Sequence, residues 1–179
     1  NLSMKKITIN KKELKFILAP FGVAFGITLF IFTGITISDV LNIQNISDVF
    51  YFIPKLVFVS AGVVLLSMFL PIFIAGTYYL NRRGAVGQSE ILQTNGIYKY
   101  IRNPMYIGIS MTIIGTGLII LNTGIIISGG LWFCITFMQC KREEKELCIR
   151  FGEKYKIYKS GTPAFIPSLH EFFKLFTNK

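Results

Sequence analysis

Four apolar runs dominate the sequence: about Phe16–Ile37, Ile53–Tyr79, Met105–Leu121 and Gly124–Gln139. In lipid no water is available to backbone N–H and C=O groups, so apolar runs of this kind cross as helices, which satisfy those groups internally. The first two are long enough for a hydrocarbon core of about 30 Å, with room to tilt. The third and fourth are shorter, the third reaching only roughly 25 Å at about 1.5 Å per residue, so their cytoplasmic ends must start in the headgroup zone. Asn122, Thr123 and Gly124 form a turn signal between the last two runs and predict a tight antiparallel hairpin; one long buried helix over 105–139 is the alternative. The expected fold is an all-α integral membrane protein of about four transmembrane helices, the last two a tight helical hairpin, with a cytosolic C-terminal helical segment. Only 16% of the residues are charged, against roughly a quarter in an ordinary soluble domain.

The net charge of +10 would suggest nucleic acid in a soluble protein, but its distribution says otherwise. Of the 19 basic residues, every one but Lys55 falls before the first run, between the second and third, or after the fourth. The 38–52 connection carries Asp39 and Asp48 and no basic residue. By the positive-inside rule both termini and the 80–104 loop are cytoplasmic. The charge is then mainly topology, with some attraction to anionic lipid, and nucleic acid is not an expected partner. The 179 residues suit one domain: a cytosolic segment over 1–15, the helices with their loop over 16–140, and a cytosolic segment with an interfacial tail over 141–179. Asn1, Leu2 and Ser3 precede Met4 and resemble a vector-derived scar. The first run is read as a span rather than a signal peptide, because no small-residue cleavage site ends it. No ionisable residue falls within the core of a run, which argues against an ion or proton pathway, and there is no repeat of the transporter kind.

Cys134, Cys140 and Cys148 lack metal-ligand spacing and read as reduced, structural thiols; no metal is expected. Pro54 suits a helix start, and Pro71 should kink the second span. The glycines of the hairpin, Gly108, Gly115, Gly117, Gly129 and Gly130, suit close packing; a passage for an acyl chain is the sharper alternative.

The chemistry falls on one side, in two pieces. The first is EILQTNGIYKYIRNPMYIG, Glu90–Gly108. Asn103 is a favoured N-cap and Pro104 suits the first helical position, so a helix should begin there. The N–H groups of Met105 and Tyr106 then lack intrahelical partners and, with the helix dipole, suit a carboxylate or phosphate. Arg102 could grip the same anion bidentately, and Tyr98, Tyr100 and Tyr106 could face a cation or stack on a planar ring. The plainer reading is a capped helix with an aromatic belt. The second piece is KREEKELCIRFGEKYKIYKSGTPAFIP, Lys141–Pro167. Glu143 and Glu144 could accept a ribose diol or pair with an ammonium; the plainer reading is a solvated charge face. Leu147, Phe151, Tyr155 and Tyr158 are spaced four, four and three, which predicts one continuing helix ended by Gly161, Pro163 and Pro167. Leu169, Phe172, Phe173 and Phe176 make a short interfacial tail, where His170 is a surface residue. An anion site, a cation-friendly aromatic wall and a diol or ammonium acceptor are together what S-adenosylmethionine requires.

The pair TNGIYKYIRNPMYIG and REEKELCIRFGEKYKIYKSGTPAFIP resembles the isoprenylcysteine carboxyl methyltransferase and phospholipid methyltransferase superfamily of integral membrane enzymes. Its pattern runs roughly G-x-Y-x-x-x-R-H-P-x-Y-x-G, a helical hairpin, E-E-x-x-L, then F-G-x-x-Y-x-x-Y and a Pro-rich end. The likeness spans about Glu90 to Pro167. It implies an S-adenosylmethionine-dependent methyltransferase acting on a lipid or hydrophobic small molecule, with a cofactor pocket closed by the C-terminal segment. It implies cofactor contacts at Glu90, Ile91, Leu92, Gln93, Tyr98, Asn103, Pro104, Met105, Tyr106, Glu143 and Glu144, beside the Arg102 already noted. Adenine would lie against the 90–98 strip and the methionine carboxylate would meet the N-terminus of the third long helix. Two departures stand out. Asn103 replaces the usual His and cannot act as a general base. Gln139 stands where carboxyl methyltransferases carry a substrate-binding Arg, which weakens a prenylcysteine carboxylate as acceptor. No catalytic residue is assigned. Carboxylate, amine and thiol acceptors stay open, as do a non-catalytic four-helix membrane subunit and a small transporter. The expected location is the plasma membrane of a prokaryote.

Overall fold

A computed structural model describes residues 11–43, 45–82 and 91–166, with 11–24 and 80–82 described as backbone only. Every regular element among them is helical: α1 (Lys11–Val40), the single-turn α2 (Ile46–Val49), α3 (Lys55–Arg82), a 3-10 turn (Gly96–Lys99), α4 (Pro104–Ile119), α5 (Thr123–Phe151) and α6 (Glu153–Gly161). Lys55–Tyr79 of α3 and the whole of α5 are long and apolar enough to cross a membrane, whereas Phe25–Val40 of α1 and all of α4 are shorter apolar helices. Leu56, Val63 and Val64 of α3 and Leu131, Ile135 and Met138 of α5 leave their apolar side chains on the outside. Exposed apolar flanks of this extent are consistent with a membrane protein. Residues 1–10, 83–90 and 167–179 lie outside the described residues, and with them Glu90, Pro167, His170 and the expected interfacial tail.

The helices form a row rather than a closed ring. α4 packs most extensively on α3, then on α5, and α1 lies mainly against α5. Lipid tails are as apolar as leucine, so such contacts rest on close approach rather than on escape from water. Gly62 sits over the Gly115 carbonyl, where an added Cβ would fall 2.6 Å from the oxygen. Gly108 lies on the Phe73 backbone, with 2.8 Å left for a Cβ, and Gly124 meets the Gly34 carbonyl. In the interior, Ser110 and Thr112 donate to the carbonyls of Tyr106 and Gly108 at 2.7 and 2.8 Å, so their hydroxyls are satisfied within the helix.

Both short connections lie together at one end. Asn122 caps α5, its Oδ1 accepting from Ile125 N–H at 3.0 Å. Leu121 turns the chain at φ 59°, and its carbonyl accepts from Ile46 N–H at 3.3 Å, which ties α2 to the α4–α5 turn. At the other end α5 runs well past Gln139 to Phe151. The single helix expected from Leu147 through Tyr158 is instead broken at Gly152, which has φ 56° and ψ −127°. That backbone state is open to glycine and costly for other residues. α6 then ends at Gly161, where Gly161 and Pro163 predict a stop.

Candidate functional site

The site is built at the end of the bundle away from the turns. α4 begins at Pro104, with Asn103 as N-cap residue, as the Asn-Pro pair predicts. The Asn103 side chain, however, makes no cap hydrogen bond. Its Nδ2 donates to the Ala164 carbonyl at 3.3 Å, and its backbone N–H reaches the same oxygen at 3.0 Å. Arg102 N–H donates to the Pro163 carbonyl at 2.9 Å. Phe165 then packs its ring 5.4 Å from that of Phe133 on α5. The stretch after α6 is therefore a strap across the mouth of α4, and Asn103 serves the strap rather than the helix.

The adjacent glutamates diverge, as neighbours about 100° apart around a helix must. Glu143 Oε1 accepts from Tyr106 Oη at 2.6 Å and from Gln139 Nε2 at 3.3 Å. Glu144 meets two cations: Arg102 Nη1 lies 2.9 Å from its Oε1 and Lys159 Nζ 2.7 Å from its Oε2. The Arg102 contact is an ion pair by distance but is not aligned as a hydrogen bond, so Nε and Nη1 of the buried guanidinium find no aligned acceptor among the described residues. Arg102, read from the sequence as an anion grip, already has a carboxylate beside it.

A cavity of about 260 Å³ opens between these elements, a little under the ~300–1,000 Å³ usual for small-molecule pockets. One wall is Ile91, Leu92 and Gln93 with Tyr98; a second is Arg102, Asn103, Met105 and Tyr106 at the start of α4; Glu143 stands on α5. Among the described residues, two of those assigned from the sequence are not on its lining. Pro104 is buried in packing, its ring against Gly76, and Glu144 is turned to Arg102 and Lys159. The sequence reading missed Glu146, Leu147, Arg150 and Phe151, one stripe along the extended α5, and Tyr155 and Tyr158 of α6, all of which line the cavity. Their spacing of three and four from Glu143 was the available signal.

Gly96, at φ 64°, lies on the face of the Tyr79 ring and fixes the first wall against α3. Tyr158 Oη donates to the Tyr98 carbonyl at 2.6 Å, which joins α6 to that wall. Burial, with the Glu144 carboxylate adding to it, pushes the Tyr155 phenol up to about 12. Tyr98 and Tyr158 are also raised, chiefly by burial. All three phenols are therefore neutral near pH 7. The Gln93 Oε1 is buried without a donor among the described residues, while its Nε2 donates to the Asn95 carbonyl at 3.1 Å. Among the described residues no group of three or more His, Cys, Asp or Glu side chains is placed to hold a metal ion, and Cys134, Cys140 and Cys148 are all free.

The sequence model of the phospholipid methyltransferase family matches residues 49–154, more than half of the chain, from the end of α2 into α6. A relative from Dictyostelium discoideum, protein-S-isoprenylcysteine O-methyltransferase, is 38% identical over 83 residues, which make up 45% of this chain and 35% of that protein. The aligned part thus spans about a third of the relative's own length. No solved structure gives a significant match. The matched region holds the hairpin of α4 and α5, the Tyr106–Glu143 pair and the Arg102–Glu144 pair, and the chain belongs to the phospholipid methyltransferase family, in one superfamily with the isoprenylcysteine methyltransferases.

Proposed function

We propose that the protein is a membrane-embedded methyltransferase that moves a methyl group from S-adenosylmethionine to a lipid or hydrophobic small-molecule acceptor. The observation that carries this reading is the convergence, on one cavity, of Tyr106 hydrogen-bonded to Glu143 at 2.6 Å with a guanidinium whose buried Nε and Nη1 lack aligned acceptors. The residues present fit the cofactor. Arg102, whose Nη1 already lies 2.9 Å from Glu144 Oε1, keeps its Nε for a ligand carboxylate. Among the described residues both hydrogen bonds to Glu143 fall on Oε1, which leaves Oε2 for an ammonium or a diol. Tyr98 and Tyr106 supply aromatic surface suited to a sulfonium or a purine, and the buried Gln93 Oε1 suits an N–H donor. When bound, the cofactor supplies an electrophilic methyl group. The chain's own part is to hold reactants in line and keep water out, which the strap from Thr162 to Phe165 and the phenols of α6 favour. Asn103, bonded to the strap, has no role as a base.

The accompanying topology has four spans, with the cavity and both termini on the cytoplasmic side. It is supported by the basic residues clustered at the cavity end and the acidic, Lys/Arg-poor connection between α1 and α3. For the acceptor, Gln139 stands beside Glu143 where a cation would favour a carboxylate. That arrangement favours an amine over a prenylcysteine carboxylate, with the carboxyl reaction as the second reading.

Calorimetric binding of S-adenosylmethionine and S-adenosylhomocysteine to detergent-purified protein tests the core of this. Micromolar binding that weakens at least about tenfold in Glu143→Ala is expected, since a hydrogen bond to a charged group contributes about 1.5–3 kcal/mol. No binding by folded protein would overturn it and favour a non-catalytic membrane subunit. A labelled-donor screen of lipid extracts then identifies the acceptor.

A further inference from the structure

The connection between α1 and α3 carries an exposed apolar surface that the proposed reaction does not use. Val40, Leu41, Val49, Phe50, Tyr51 and Phe52 are all exposed, Tyr51 to 86% and Phe52 to 70%. The aromatic rings form a chain: Tyr51 to Phe52 at 6.1 Å, Phe52 to Phe50 at 6.2 Å, and Phe50 to Phe58 of α3 at 6.5 Å. Fixed rings of this size, left in water, would be a liability.

Three observations say what covers them. The patch runs directly into the exposed apolar flank of α3, beginning at Leu56 and Val57. Tyr at the end of a span is a usual resident of the headgroup boundary, where its hydroxyl is wet and its ring apolar, and the Phe rings beside it are covered by the acyl side of that boundary. The nearby charges are Asp39, Asp48 and the single cation Lys55, with no basic residue between Lys15 and Lys55, so the connection lacks the basic cluster that an anionic lipid surface attracts.

We infer that this connection is a membrane anchor: its aromatic surface lies in the headgroup–acyl boundary of the leaflet opposite the cavity and sets the depth of the site. The second part follows from the tie between Ile46 N–H and the Leu121 carbonyl, which fixes the anchor to the α4–α5 turn. α4 has 16 residues, roughly 24 Å at ~1.5 Å per residue, against a hydrocarbon core of about 30 Å. With its turn end held at one boundary, the Asn103–Tyr106 end stops short of the other. The cavity then opens at the inner edge of the headgroup zone, where a lipid-borne acceptor already resides. This rests on the four-span topology proposed above.

One added tryptophan at a time, in liposomes of brominated zwitterionic lipid, separates the anchor from the topology. Tyr51→Trp, Phe52→Trp and Val64→Trp are made in the otherwise native chain, and the emission of Trp132 measured in the unaltered protein is subtracted. All three positions are exposed in the fold, so the changes leave packing intact. Expected is loss of emission at Tyr51→Trp and Phe52→Trp with bromine near the headgroup, and at Val64→Trp with bromine deep in the chains. If Val64→Trp is quenched by lipid while the other two respond only to aqueous iodide, the anchor is overturned and the topology stands. If none is quenched by lipid, the topology fails and the anchor with it.

Discussion

The two ends of the bundle are held together by different means. At the turn end the joining contacts are mainly backbone to backbone, Gly124 against the Gly34 carbonyl and Ile46 bonded to Leu121, with one short side chain, Asn122, capping α5. At the cavity end two backbone bonds hold the strap, and the rest is done by side-chain tips: Tyr106 to Glu143, Glu144 between Arg102 and Lys159, and Asn103 Nδ2 to the strap. Backbone contacts have no rotamers with which to adapt, whereas side chains can exchange one partner for another. The turn end is thus built to fold, and the cavity end to respond to what enters it.

Substitutions can break this contrast. The largest effect is expected from Gly124→Val, whose Cβ would strike the Gly34 carbonyl; it should cost more than about 3 kcal/mol, the upper range for overpacking. Gly130 in the same helix meets nothing within 4 Å, so Gly130→Ala should be neutral or stabilise by roughly 0.5–1 kcal/mol. Thermal unfolding in detergent reads both, and similar losses for the two would erase the contrast. Next is Arg102→Ala, which strips one cation from a carboxylate only 16% exposed. A loss of about 3 kcal/mol is expected, the low end for breaking a buried pair, because Lys159 remains.

A pH series sharpens the cavity end further. Tyr155 titrates near 12 when folded, against an ordinary 10.0, so the folded state holds that proton more tightly. Its contribution to stability is complete below the ordinary value and falls as pH rises through 10 toward 12. Tyr155→Phe should flatten that part of the denaturation profile. The smallest effect belongs to Glu153→Gln on the outside of α6. Its pair with Lys156 spans 3.1 Å between side chains 74% and 65% exposed, and a change within about 0.5 kcal/mol is expected.

Local chemistry made much of the fold legible. Asn103-Pro104 marks the start of α4 and Asn122 the start of α5, because caps and turns are written in neighbouring residues. What escaped reading depends on partners far apart in sequence. Nothing near Asn103 announces that its amide serves Ala164, and nothing near Glu144 announces Lys159. Gly152 was passed over because the apolar spacing from Leu147 to Tyr158 fits a helix on either side of it, and periodicity alone does not register a reversal of φ. For the candidate site, the motif residues that share a cavity were visible as two polar clusters, while Glu146 and Arg150 were hidden in what reads as a solvated charge face.

The position of α1 separates tightness from chemistry. The family match begins at residue 49, after α1 has ended, and α1 rests on the flank of α5 through Gly34 at Gly124 and Phe30 at Trp132. Every described residue lining the cavity lies between Ile91 and Tyr158, so a change on the α1 side of that seam should alter how firmly the bundle holds without altering what the cavity recognises.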